Sequence, residues 1–190
     1  LDIVRGDWTR YSEALNTDNI NHPNTSFDVS TVNILENENR IPINYTLPPG
    51  VEREQLNNFN TSIRQNEQSL SLKVQGLEPK DSRGVYKNID IDMRQYKRLK
   101  MFVHAESLTN QPSLPGTGAQ EEFDKRMVAF LRIGTDLTEN YYQIEVPLKP
   151  TSFTQGVSNN LSPEEVWQPD SNSIDIPLDL LTRIKAASIT

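Results

Sequence analysis

The residues best equipped for chemistry are a few carboxylates, two histidines and a set of aromatic rings. Asp90 and Asp92 alternate with Ile89 and Ile91, so an extended backbone points both carboxylates the same way. With Asp136 and Glu139 they would form an oxygen-rich site for a hard cation. Their spacing is not that of a calcium loop, and acids outside a motif mostly belong to solvated turns. The sequence therefore predicts no metal site and no calcium dependence. His22 and His104 are the only histidines, and neither has the serine and acid partners of a triad arranged around it. A lone histidine on a strand is more often a packed side chain than a base. No catalytic residue and no cofactor are assigned, and the chain is read as non-enzymatic. The absence of Cys removes disulfides, thiolate metal sites and cysteine nucleophiles.

Binding is the other possibility. Trp8, Trp167, Tyr141 and Tyr142 could form a sugar-stacking platform, although aromatics in a lean core are more often structural. A coplanar exposed pair among them would favour a carbohydrate-binding module, and burial of all four a structural role. Asn24-Thr25-Ser26, Asn44-Tyr45-Thr46, Asn60-Thr61-Ser62 and Asn160-Leu161-Ser162 match the glycosylation sequon. About three such matches arise by chance in a chain this rich in Asn, Ser and Thr. Thr135, Asp136, Thr138, Glu139 and Asn140 form a polar turn between two strand-like runs. Turn chemistry alone selects such residues, yet loops on a rigid scaffold are where partners tend to dock, so this is a possible interaction turn. Ser107–Lys125, with Pro112, Pro115, Gly116 and Gly118, is a long loop of mobile composition.

Strands must position these residues. Ser30–Leu35 reads as a strand, with Val32 and Ile34 on one face. Ile41–Leu47 alternates Ile41, Ile43, Tyr45 and Leu47 against Pro42, Asn44 and Thr46 and reads as a second strand, with Pro42 placing it at a sheet edge or a strand start. Val51–Asn66 carries Leu56, Phe59 and Ile63 at helical spacing but too many Asn for a good helix, and reads as a loop with a helical turn. Ser69–Leu77 is a half-buried antiparallel strand. Asn88–Tyr96 crosses over into Lys97–Glu106, where Leu99, Met101, Val103 and Ala105 share a face. Met127–Ile133 is almost continuously apolar and reads as a central strand covered on both sides. Tyr141–Leu148 returns after the turn. Pro150–Ser173 reads as irregular, Ile174–Ile176 as a closing strand, and Pro177 as the start of a helix with Leu178, Leu181 and Ile184 in a stripe. Leu72, Leu99, Val103, Leu131, Ile133, Ile144 and Val146 are the expected buried core.

The chain has 190 residues, 35% hydrophobic, with 12 Pro and 8 Gly, which suits short strands and many turns. The fold class is all-β: an antiparallel β-sandwich with a short C-terminal helix. The crossover Ile91–Tyr96 leading into Leu99–Ala105 resembles that of jelly-roll, carbohydrate-binding-module-like domains, so the resemblance implies that form of sandwich. Residues 1–29 read as an N-terminal arm anchored by Trp8 and Tyr11, and residues 30–190 as the sandwich. A net charge of −7 argues against nucleic acid. No apolar run is long enough for a membrane helix. Leu70–Val74 and Tyr142–Leu148 would each pass for barrel strands, but the long polar links fit a sandwich outside the membrane better. The chain starts at Leu1 rather than Met and reads as a mature or excised piece of something longer, so a missing signal peptide says nothing of compartment.

Several strings carry more specific information. Leu47-Pro48-Pro49-Gly50-Val51-Glu52-Arg53-Glu54, Arg64-Gln65-Asn66-Glu67-Gln68-Ser69-Leu70 and Arg83-Gly84-Val85-Tyr86-Lys87 are three. Ile91-Asp92-Met93-Arg94-Gln95-Tyr96-Lys97, Phe102-Val103-His104-Ala105-Glu106 and Gly134-Thr135-Asp136-Leu137-Thr138-Glu139-Asn140-Tyr141-Tyr142 complete the set. Together, over Asn33 to Lys185, the chain resembles the SprA/Sov family, the giant outer-membrane translocon of type IX secretion and gliding motility. The resemblance implies a large barrel that conducts folded cargo, with inserts around it. It also implies a shuttle-type barrel protein at a lateral opening and a periplasmic plug as partners. On that reading this chain is a soluble, extracytoplasmic insert at the outer membrane, in contact with other parts of the same translocon.

Overall fold

The computed structural model describes residues 8–11, 14–15, 23–53, 55–58, 61–107, 127–154, 156 and 158–188. In chain order the strands are β1 (Thr9–Arg10), β2 (Ser26–Asn33), β3 (Gln55–Asn58), β4 (Thr61–Arg64), β5 (Gln68–Gln75), β6 (Val85–Tyr86), β7 (Arg98–Met101), β8 (Val128–Gly134), β9 (Tyr141–Pro147) and β10 (Ile174–Pro177). The helices are α1 (Ile34–Asn37), α2 (Pro163–Trp167), α3 (Pro169–Asn172) and α4 (Asp179–Ser188), with a 3₁₀ turn at Met93–Gln95. Among the described residues the strands pair into five two-stranded antiparallel sheets. The protein is mostly strands in small antiparallel sheets with a short C-terminal helix, as expected. The chain divides into two compact units, one from the residues up to Asn33 with Gln68–Ile91, the other from Ile34–Glu67 and Asp92 onward.

In the first unit β2 and β5 pair along their full length, Phe27 opposite Val74 and Val29 opposite Leu72. Phe27 is buried, with the Arg10 guanidinium 5.4 Å from its ring centroid. β2 begins earlier than the Ser30–Leu35 reading placed it, and Ile34 and Leu35 belong to α1. The expected boundary at residue 29/30 thus falls inside this strand. Leu72 is 48% exposed, not core. Among the described residues β2 and β5 pair only with each other, so alternation predicted the strand and overstated its burial. Gly76 has a positive φ, and a Cβ there would lie 2.5 Å from the Asn24 carbonyl oxygen. From the N-terminal residues, Tyr11 N–H donates to the Gly84 carbonyl at 3.0 Å and Leu15 N–H to that of Ser82 at 3.2 Å. Tyr11 is half-buried, whereas Trp8 is exposed.

In the second unit the core is gathered around a helix turn rather than a sheet. Ile43, Tyr45, Ala105, Val146, Val166, Trp167, Ile174 and Leu178 are buried. Of the expected core residues here only Val146 is buried; Leu99, Val103, Leu131, Ile133 and Ile144 are half-buried. β8 pairs with β9 alone among described strands, and Val128 is 43% exposed. Its apolar run therefore covers the two sides of a ribbon partially, instead of filling the centre of a sheet. β7 is shorter than the expected Lys97–Glu106 strand; it pairs with β10, Leu99 opposite Ile176. Val51–Asn66 contains the β3–β4 hairpin, Leu56 opposite Ile63, in place of the expected helical turn. Asn is a poor helix former, and Thr61 and Ile63 are β-branched. Arg53 closes the open end of this hairpin, donating to the Gln65 and Arg64 carbonyls at 2.6 and 3.2 Å. The expected C-terminal helix is present as α4, although Pro177 ends β10 instead of starting it. The expected loop beyond Ser107 lies outside the described residues.

Ile41–Leu47 is not a strand. Ile41 is 57% exposed while Ile43 is fully buried, so the alternation is broken at Pro42. Side chains take the place of a strand neighbour. Arg40 Nε donates to the Ile43 carbonyl at 2.9 Å, Asn159 Nδ2 to that of Pro42 at 2.8 Å, and Trp167 Nε1 to that of Thr46 at 3.0 Å.

Candidate functional site

The hairpin turn between β8 and β9 is built around one carboxylate. Asp136 Oδ1 accepts from the backbone N–H of Thr138, Glu139 and Asn140 at 2.9, 2.6 and 3.0 Å. Asn140 Nδ2 donates to Oδ2 at 2.7 Å. The backbone N–H of Glu139, then that of Asn140, hold the Asp136 carboxyl far below the usual carboxylate range. Thr135 N–H closes the loop on the Asn140 carbonyl at 3.0 Å. Gly134 is required here, because a Cβ would lie 2.0 Å from the Asn140 oxygen and 2.6 Å from the Tyr141 Cα. Arg132 braces the turn from below. It donates to the Leu137 carbonyl and, at 2.7 Å, to Gln143 Oε1, and its guanidinium lies 4.2 Å from the Tyr141 ring centroid. The five expected turn residues are thus brought together. Asp136 and Asn140 bond to each other within the turn, and Thr135, Thr138, Glu139 and Asn140 are exposed.

The other expected groups are held separately. Asp92 caps the 3₁₀ turn through Arg94 N–H and pairs with the Arg94 guanidinium at 2.8 and 3.0 Å. That hydrogen bonding lowers its pKa to about 2. Among the described residues no group of three or more His, Asp or Glu side chains could hold a metal ion. His22 lies outside the described residues. Of the four proposed stacking aromatics, Trp8 is exposed, Tyr142 is half-buried, Tyr141 lies beneath Arg132, and Trp167 is 5% exposed. Nothing here supports a sugar platform.

Trp167 instead organises the second unit. Ser162 caps α2 reciprocally with Glu165, with Pro163 just inside the start, so Val166 and Trp167 are delivered inward. Tyr45 and Phe102 meet the indole edge-on at 6.3 Å, and His104 lies 5.9 Å away, tilted. Arg40 donates to both Glu106 carboxylate oxygens at 2.7 and 2.6 Å. Side-chain amides complete the assembly. Asn172, fully buried, donates to the Lys149 carbonyl and accepts from its N–H, both at 2.8 Å. Asn44 accepts from Leu161 N–H at 3.1 Å. Reading Pro150–Ser173 as irregular missed α2, although Ser162-Pro163-Glu164-Glu165 has the spacing of a capping box. The amide pairs have no comparable signal in sequence.

These features define a β protein built of two-stranded ribbons, one of which carries a carboxylate-centred hairpin turn. The chain belongs to the SprA_N family, motility related/secretion protein, whose family model matches residues 1–188. That membership gives it a motility- or secretion-related role. None of the curated proteins matches the chain. No helix among the described residues is long and apolar enough to cross a membrane.

Proposed function

We propose that this chain is a non-enzymatic structural and interaction module of the outer-membrane translocon of type IX secretion and gliding motility. In this reading it lies on the extracytoplasmic side and contacts other parts of the translocon. The shuttle-type barrel protein and the periplasmic plug are its further partners. Sandwich or jelly-roll closure belongs to the same reading: ribbons this narrow find further neighbours in the complete assembly, since two strands alone are marginal in water. Family membership supports the setting. The single observation that carries the interaction role is the β8–β9 turn. Its backbone is fixed by Asp136, so Thr135, Thr138 and Glu139 are presented with little freedom left to lose on docking.

The test separates presentation from folding. Thr138→Ala with Glu139→Ser removes two exposed groups and leaves Asp136 in place. The expected outcome is an unchanged melting curve for the chain and reduced export of a reporter cargo when the variant stands in the full-length protein. Normal export would reduce the turn to hairpin closure.

A further inference from the structure

His104 has no part in the turn or in the proposed docking. Its Nε2 is buried without a hydrogen-bond partner, and so is Thr46 Oγ1. Both residues touch one indole: the His104 ring lies 5.9 Å from that of Trp167, and Trp167 Nε1 holds the Thr46 carbonyl. We propose that His104 is a proton-operated release for residues 45–47, whose hold on Trp167 opens when the imidazole becomes charged.

The chemistry follows from what surrounds the ring. A neutral imidazole can leave one nitrogen as an unused acceptor at modest cost. The charged form has a donor on each nitrogen, and Nε2 has no hydrogen-bond partner where it is buried. The charged groups that act on the ring are Glu106, from its own segment, and Arg40, from the segment preceding Ile41. Glu106 favours the imidazolium and Arg40 opposes it, but the two are locked together through both carboxylate oxygens. α2 contributes the neutral Trp167, and its carboxylates Glu164 and Glu165 are exposed. Burial therefore prevails and holds the His104 pKa below that of a free imidazole.

A depressed folded-state pKa means that the opened form takes up the proton more readily. The closed contact is at full strength above the ordinary histidine value of about 6.5 and weakens as pH falls below it, by up to about tenfold in opening per pH unit. Opening would uncover Tyr45 and Trp167, an apolar surface whose population rises in acid.

Trp8→Phe with His22→Gln leaves one tryptophan and one histidine, since the chain has two of each. In that protein the His104 ring proton signal should titrate below about pH 6.5. Over the same range the backbone N–H of Tyr45, bonded to the Asn37 carbonyl at 2.8 Å, should exchange faster after correction for intrinsic rate, and Trp167 emission should shift to the red. Adding His104→Gln should abolish the acceleration. Titration at or above about pH 6.5, unchanged Tyr45 protection, or acceleration that persists in His104→Gln would each overturn the proposal. If His104→Gln does not fold, the ring titration and the Tyr45 exchange decide it between them.

Discussion

Asn172 shows what a single amide can do where no strand neighbour exists. It satisfies both the N–H and the carbonyl of Lys149 from a fully buried position. Replacing it with Ala leaves those groups without partners, so Asn172→Ala should cost about 1–3 kcal/mol, read as a lower urea midpoint. Asn44 acts in the same way on Leu161, and Asn159 donates to the Pro42 carbonyl. In sequence such residues read only as loop, because an amide's partner is set by tertiary proximity. Asp136 makes the opposite case: its type and its place before Thr138, Glu139 and Asn140 do announce a turn. Its pKa is depressed in the folded state, so its contribution is present above the ordinary carboxylate value of 3.8 and is lost as pH falls below it. Asp136→Asn keeps an acceptor and removes the titration. The gap in melting temperature between parent and variant should be largest near neutrality and shrink from about pH 5 to about pH 2.

The strands with clean alternation or a bounding turn, β5, β8 and β9, were legible as strands, and the stripe of α4 was legible as a helix. Their burial was not, because alternation tells which side faces inward but not how many strands share the layer. Leu131 is half-buried, so Leu131→Ala should cost less than the ~2–5 kcal/mol of a fully buried leucine. Ile41–Leu47 misled for a related reason: its period of two is real in type, yet Pro42 breaks it and side chains replace the ladder. The β8–β9 hairpin depends on Gly134, where a Cβ would strike backbone rather than a movable side chain. Gly134→Ala should destabilise the unit by about 1–3 kcal/mol, read as a lower melting temperature. Proton spectra should show the Thr135 amide losing protection.

At the scale of the molecule, the physics of the sequence specified short strands, no thiol chemistry and no recognisable triad. The family resemblance came from strings spread along the chain, and the family match over residues 1–188 agrees with it. Among the described residues neither compact unit contains a sheet of more than two strands. Phe27 between paired strands supports one, and Trp167 with its amide clasps supports the other. The proposed role as an interaction module rests on what such ribbons present outward, above all the braced turn. The most direct test places a photo-crosslinking amino acid at Glu139 in the full-length protein in living cells, with an exposed control position at Thr182 on α4. The account predicts a defined crosslink from position 139 to another segment of the secretion machinery, absent from position 182. The same yield from both positions, or none from 139 while export proceeds, would contradict it.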